Sequence, residues 1–103
     1  MKIKVESEKI VKAVKKLDGI EIILENTEDA KEAINLVLRK TDLFEKDEYE
    51  KLKDVKVTSF QEYKTSAVDY KMVFSLEFVF EDNVPLDTKA SIIKEIQGFF
   101  YKI

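Results

Sequence analysis

The longest run of alternating residues in the chain is Tyr70–Phe80, with the sequence YKMVFSLEFVF. Every second residue of this run, from the first to the last, is aromatic or aliphatic, and the positions between them include Lys71, Ser75 and Glu77. Successive side chains of a strand point to opposite faces, so the pattern predicts a β-strand with one buried face. Burial of such side chains stabilises a fold by roughly 1.5–3 kcal/mol each, and we therefore expect the core to form on this strand.

Three segments carry apolar residues at the three- and four-residue spacing of an amphipathic helix. The first follows Ser7 as a cap and ends at Asp18-Gly19, the second follows Asn26-Thr27, and the third follows Pro85 with Asp87 or Thr88 as its cap. The predicted buried stripes are Ile10, Val11, Val14 and Leu17; Ala30, Ala33, Ile34, Val37 and Leu38; and Ile92, Ile93, Ile96, Phe99 and Phe100.

Three further segments predict strands. Residues 1–5 alternate between apolar and charged, and residues 20–25 place Ile20, Ile22 and Leu24 on one face, with Ile23 on the other. Residues 55–63 are rich in β-branched and aromatic residues, and a polar connection joins them to the strand that starts at Tyr70. Phe60 falls out of step with the valines before it, which indicates a β-bulge.

The segment from residue 41 to residue 54 is mostly charged and indicates a short, largely exposed helix. The predicted order is therefore strand, helix, strand, helix, short helix, strand, strand, helix. This order predicts a single α+β domain over residues 1–103, with a four-stranded mixed sheet. We expect the first two strands to be parallel, the last two to form an antiparallel hairpin, and the helices to pack mainly on one face.

Histidine and cysteine are both absent from the 103 residues. The chain therefore has no imidazole base, no thiolate nucleophile and no soft metal ligand. With only two glycines, it contains neither a phosphate-binding P-loop nor a dinucleotide-binding motif. We expect a protein that is not an enzyme, with no catalytic residues, no cofactor and no metal.

An enzyme that depends on carboxylates or hydroxyls is the less favoured alternative. Acidic pairs such as Glu28 and Glu32 occur throughout the chain, and Ser91 to Lys94 matches the S-x-x-K pattern of penicillin-binding enzymes. That pattern here falls inside a predicted helix without its partner motifs. Solvated helix faces explain these residues better.

No apolar run approaches the roughly 20 residues that span a bilayer, and the N-terminus carries no apolar block typical of a secretory signal. We expect a cytoplasmic protein without a membrane partner, consistent with the absence of cysteine.

The net charge of −3 is distributed unevenly. Residues 1–17 hold six lysines against two glutamates, and residues 18–50 hold eleven acids against four bases. One alternative is therefore a nucleic-acid-binding protein that uses its basic N-terminal segment, with a surface formed by Lys9, Lys12, Lys15 and Lys16. A second is an acidic mimic of nucleic acid, with a surface formed by Asp42, Glu45, Asp47, Glu48 and Glu50. Solvated surface is the simpler explanation of both runs.

Aromatic residues near the C-terminus give a third route to nucleic acid. Phe99, Phe100 and Tyr101 are interleaved with Lys94 and Lys102 and could stack on single-stranded bases. Burial in the core explains both phenylalanines better, and Tyr101 is the one expected outside.

Surplus apolar surface is the strongest functional signal in the sequence. The candidate protein interface consists of Tyr49, Tyr63, Val73, Val79 and Tyr101, since interfaces favour tyrosine and disfavour lysine and glutamate. The first strand, or the strand at residues 55–63, is a candidate open edge for a partner's strand. We therefore expect a small protein-binding, regulatory or inhibitor module whose partner is another protein or a second copy in a homodimer; nucleic acid is the less favoured partner.

Overall fold

The computed structural model describes residues 1–41, 50–64 and 70–103, with residues 59, 60, 62–64 and 70 described by their backbone alone. The elements in chain order are β1 (Lys2–Glu6), α1 (Ser7–Asp18), α2 (Thr27–Lys40), β2 (Leu52–Lys64), β3 (Tyr70–Phe80) and α3 (Leu86–Lys102). Within the described ranges these elements form an α+β fold of three helices and one three-stranded antiparallel sheet.

Strand β3 is the central strand of the sheet, in the order β1-β3-β2. Strand β1 pairs with the middle of β3, from Lys2 opposite Glu77 to Glu6 opposite Val73. Strand β2 pairs along the full length of β3, and its 13 residues span roughly 40 Å at the usual rise of a strand. The hairpin of β2 and β3 therefore sets the long dimension of a molecule that measures 47 × 27 × 23 Å.

The core lies between one face of the sheet and the three helices. Phe74, Leu76 and Phe78 of β3 are buried, as the alternating pattern predicts, and Tyr70–Phe80 is confirmed as a strand. The same core cluster contains Ile3 and Val5 of β1, Val55 of β2, and the buried stripes of the helices. On the opposite face of β3, Val73, Ser75, Glu77 and Val79 are each half-buried. No helix of the described residues covers this second face.

The predicted bulge in β2 is confirmed. The register shifts between Val57, which pairs with Leu76, and Ser59, which pairs with Ser75, so that Thr58 is the extra residue. The Thr58 hydroxyl donates a hydrogen bond to the Ser75 carbonyl over 3.3 Å. The shift brings Phe60 opposite Phe74 and accounts for the break in the sequence pattern.

The helix stripes are also confirmed, but two of the predicted caps are wrong. Gly19 ends α1 in the left-handed conformation at φ 70°, and Asn26 caps α2 by accepting a hydrogen bond from the Asp29 amide over 2.9 Å. Ser7 is the first residue of α1 and not its cap, because the chain passes from β1 into the helix without a turn. The third helix begins at Leu86 after Pro85, two residues earlier than a cap at Asp87 would allow.

The predicted fourth strand, and with it the mixed four-stranded sheet, is not confirmed. Residues 20–25 have no strand pairing in the described chain, and β1 pairs antiparallel with β3. The apolar alternation of this segment is satisfied by packing against helices. Leu24 is buried and Ile22 half-buried, and both lie beside Val14 of α1 and Ala33 of α2.

The short helix predicted over residues 41–54 falls largely outside the described residues, which omit 42–49. The end of that segment belongs to β2, which begins at Leu52, three residues earlier than predicted. After α2, the described part of the chain resumes at Glu50 and continues into β2.

Candidate functional site

The connection between α1 and α2 contains an apolar segment, Ile20–Leu24, that belongs to no helix or strand of the described chain. Ile23 is 80% exposed and Ile20 is 51% exposed, although both are large aliphatic residues. From Ile20 to Leu24 the backbone makes no hydrogen bond within the described part of the chain; the next amide, that of Glu25, donates to an Asp29 carboxylate oxygen over 3.0 Å. A segment with an unbonded backbone and exposed aliphatic side chains is unusual on the surface of a small protein.

A groove of about 240 Å³ follows this segment, and we call it the acidic groove. It lies between the connection and the exposed side of α2. Its lining residues are Val14, Ile22, Ile23, Leu24, Asp29, Glu32, Ala33 and Leu36.

The charges around the acidic groove are almost all negative. Glu25, Glu28 and Glu32 are exposed and form no ion pair in the described chain. Glu21 is bound by Lys15 over 2.9 Å, and the nearby Lys31 is paired with Asp54. The groove therefore combines an apolar floor with an unneutralised acidic rim.

The predicted basic surface of α1 is largely occupied by contacts within the chain. The Lys9 ammonium donates to the Ile103 carbonyl over 3.1 Å, and the Lys12 ammonium is paired with Glu8 at 2.8 Å. With Lys15 bound to Glu21, only Lys16 of the four predicted lysines has no ion pair or hydrogen bond in the described chain. The structure groups Lys16 with lysines of α3 instead.

That second group forms a groove of about 500 Å³ between α1 and α3, which we call the lysine groove. Its lining residues are Lys16, Ser91, Lys94, Glu95, Gly98, Phe99, Lys102 and Ile103. Lys94 and Lys102 are exposed and have no ion pair among the described residues. Phe99 is half-buried and packs edge-on against the buried Phe100, with ring centroids 5.3 Å apart. It therefore contacts the core on one side and lines the groove on the other.

Of the predicted protein interface, the three residues whose side chains the structure describes, Val73, Val79 and Tyr101, do not share one surface. Val73 and Val79 lie on the uncovered face of the sheet, half-buried beside Glu77. Tyr101 is 84% exposed, as expected, but it lies on α3 near Lys4 and Glu6 at the β1 edge. The side chain of Tyr63 and the whole of Tyr49 lie outside the described residues.

Most of the predicted acidic surface also lies outside the described ranges. Asp42, Glu45, Asp47 and Glu48 fall in the omitted segment, and Glu50 is exposed just before β2. Both predicted open edges of the sheet are present, because β1 and β2 each pair only with β3 in the described chain.

Within the described chain, no group of three or more acidic residues is placed to hold a metal ion, and no buried polar side-chain atom lacks a hydrogen-bond partner. Among the carboxyl groups that the structure describes, Glu8 has a lowered pKa, because its side chain forms a hydrogen bond and a charge interaction with Lys12. Among the described helices, none has the length and apolar content to cross a membrane.

Comparisons of the chain with protein-family models, with curated proteins and with solved structures find no match in any of the three. The site assignment therefore depends on the geometry above.

Two features of these grooves were not identified from the sequence. Ile23 exceeds simple alternation in the run IEIIL, which is a signal of surplus apolar surface. Gly98 stands four residues from Lys94 and four from Lys102, on one stripe of a helix, which is a signal of a gap between two lysines.

Proposed function

We propose that this protein is a non-catalytic protein-binding module and that the partner polypeptide docks on the acidic groove. The observation that carries the proposal is the segment Ile20–Leu24, in which Ile23 is 80% exposed and the backbone makes no hydrogen bond in the described chain. Exposed apolar surface of this kind is unfavourable in water. The free energy is recovered when a partner covers the surface.

The mode of binding that fits this segment is strand addition. An extended partner supplies main-chain hydrogen bonds, and alternate side chains of the two segments pack together. The fourth strand predicted from the sequence then forms at residues 20–25 in the complex, paired with a strand of the partner.

The charges favour a partner strand that carries lysine or arginine among apolar residues. Glu32 lines the groove and has no ion pair in the described chain, and the exposed Glu28 precedes it by one turn of α2. A homodimer formed by antiparallel pairing of this segment, centred on Ile23, would place Glu21 opposite Glu25 of the second copy. Like charges directly opposite each other destabilise a strand pair, so a different protein is favoured over self-pairing at this segment.

Nucleic acid is less favoured as a partner of the N-terminal helix. Lys9, Lys12 and Lys15 are each engaged within the chain, so binding phosphates there would require breaking those contacts. The acidic-mimic alternative depends on residues 42–48, which lie outside the described residues, and it stays a prediction.

Photo-crosslinking in extract of the native host tests the proposal. A benzoylphenylalanine is placed at position 23 of the full chain, with position 86 as the matched control, because Leu86 is also an exposed aliphatic residue, at 73%. We expect a discrete polypeptide adduct from position 23 alone. Excess unlabelled protein should compete for it, whereas the Ile23→Glu variant should not. Equal labelling from both positions, or no polypeptide adduct at position 23, contradicts the proposal.

A further inference from the structure

No packing contact within the described chain explains why position 98 is a glycine. It lies inside α3, where glycine weakens a helix relative to alanine because its backbone is freer in the unfolded state. A Cβ added at this position would meet no atom within 4 Å, so the glycine is not required for close packing of the chain on itself. The missing side chain leaves an opening in the wall of the lysine groove.

Lysines surround this opening. Lys94 and Lys102 are each four residues from Gly98 and therefore lie on the same stripe of α3, and Lys16 reaches the groove from α1. None of the three has an ion pair in the described chain, and the groove contains a single carboxylate, that of Glu95. Three ammonium groups around one groove repel each other and attract an anion.

The rest of the groove is apolar. Phe99 and Ile103 are half-buried and line it together with Gly98. A volume of about 500 Å³ is within the range of small-molecule sites, which combine an apolar lining with a few convergent polar groups.

We propose that the lysine groove binds a small amphiphilic carboxylate. Its anionic head would contact the ammonium groups of Lys94, Lys102 and Lys16, and its hydrocarbon part would lie over Gly98 against Phe99. Charge complementarity selects the anionic head, and the gap at Gly98 provides space for the chain. This site lies between α1 and α3 and does not depend on the acidic groove.

The test uses dodecanoate below its micelle concentration, followed by the backbone amide signals of the full chain in NMR titrations. Gly98 and Gly19 are the only glycines, so Gly98 reports on the site and Gly19 is an internal control. We expect the Gly98 signal to shift saturably with dodecanoate while Gly19 stays in place. Acetate, which has the head group alone, and dodecyltrimethylammonium, which has the opposite charge, should have little effect.

Substitutions locate the site. The double variant Lys94→Gln, Lys102→Gln should bind dodecanoate about tenfold more weakly, as expected on losing two exposed ion pairs. Gly98→Leu, whose added atoms enter the groove, should bind it more weakly still while remaining folded; in this variant the signals of residues 94–102 are followed. Lys53→Gln, an exposed lysine outside the groove, is the matched control and should bind normally.

Four results would overturn the assignment. The first three are an absent or unsaturable shift at Gly98, equal binding of dodecyltrimethylammonium, and full binding by the two groove variants. Binding to vesicles of acidic phospholipid without binding of free dodecanoate would also overturn it, in favour of a membrane surface. Each outcome is independent of the crosslink at position 23, so this site and the protein-binding groove fail or stand separately.

Discussion

The lysines of this protein differ in whether their charge is used within the fold. Lys9 reaches across to α3 and binds carbonyl oxygens at its C-terminal end, where the helix dipole favours a cation. Lys40 is bound by Asp18, which ties the end of α2 to the end of α1. Lys16, Lys94 and Lys102 have no such partner in the described chain. Counting lysines in the sequence therefore overstates the basic surface of α1.

Glu8 gives a prediction at this scale. Its pKa lies below the ordinary value of 4.5 because of the hydrogen bond and the charge of Lys12, one helical turn away. Since the folded pKa is the lower one, the contribution of Glu8 to stability is present above about pH 4.5 and is lost as the pH falls through the folded pKa. NMR titration should show the carboxyl of Glu8 titrating below 4.5 and returning towards it in Lys12→Met. The Glu8→Gln variant should lose less stability between pH 5 and pH 3 than the unmodified chain. An identical loss in both proteins would exclude this role for Glu8.

At the scale of elements, the sequence predicted the strand Tyr70–Phe80 and all three long helices because each has one strongly apolar face. It could not decide the fate of residues 20–25, since alternation is satisfied equally by a strand in a sheet and by an extended segment packed on helices. Leu24 is buried in either arrangement. What distinguishes them is the hydrogen-bond partner of the backbone, which depends on residues distant in sequence. The charged grooves were missed for a related reason, because they join side chains from separate helices.

Hydrogen exchange tests the assignment of this segment. The amides from Ile20 to Leu24 have no hydrogen bond in the described chain and should exchange rapidly in the free protein, whereas those of Phe74 and Leu76 in the central strand should exchange slowly. A synthetic peptide of alternating valine and lysine should protect the amides of the segment, and one of alternating valine and glutamate should not. The effect should be smaller in Glu32→Lys. Slow exchange of the whole segment in the free protein would show instead that a fourth strand already exists.

At the scale of the whole molecule, stability and binding depend on different residues. All three helices pack on one face of a sheet whose centre is Phe74, with no exposed surface, and this single cluster holds the fold together. Domains of this size are stable by only about 5–15 kcal/mol, so the loss of one central aromatic ring removes a large part of that. Ile23 lies outside this cluster and is 80% exposed.

Denaturant unfolding should separate the two residues. Phe74→Ala should lower the free energy of unfolding by about 3–5 kcal/mol, because it removes a fully buried ring and leaves a cavity beneath the helices. Ile23→Ala should change it by less than about 0.5 kcal/mol, as is usual for an exposed side chain, and yet weaken capture of the partner. An isoleucine that costs solubility without adding stability is expected to be retained for contact with another molecule. If Ile23→Ala destabilises the fold as strongly as Phe74→Ala, residue 23 is part of the core and the case for a docking surface at this segment fails.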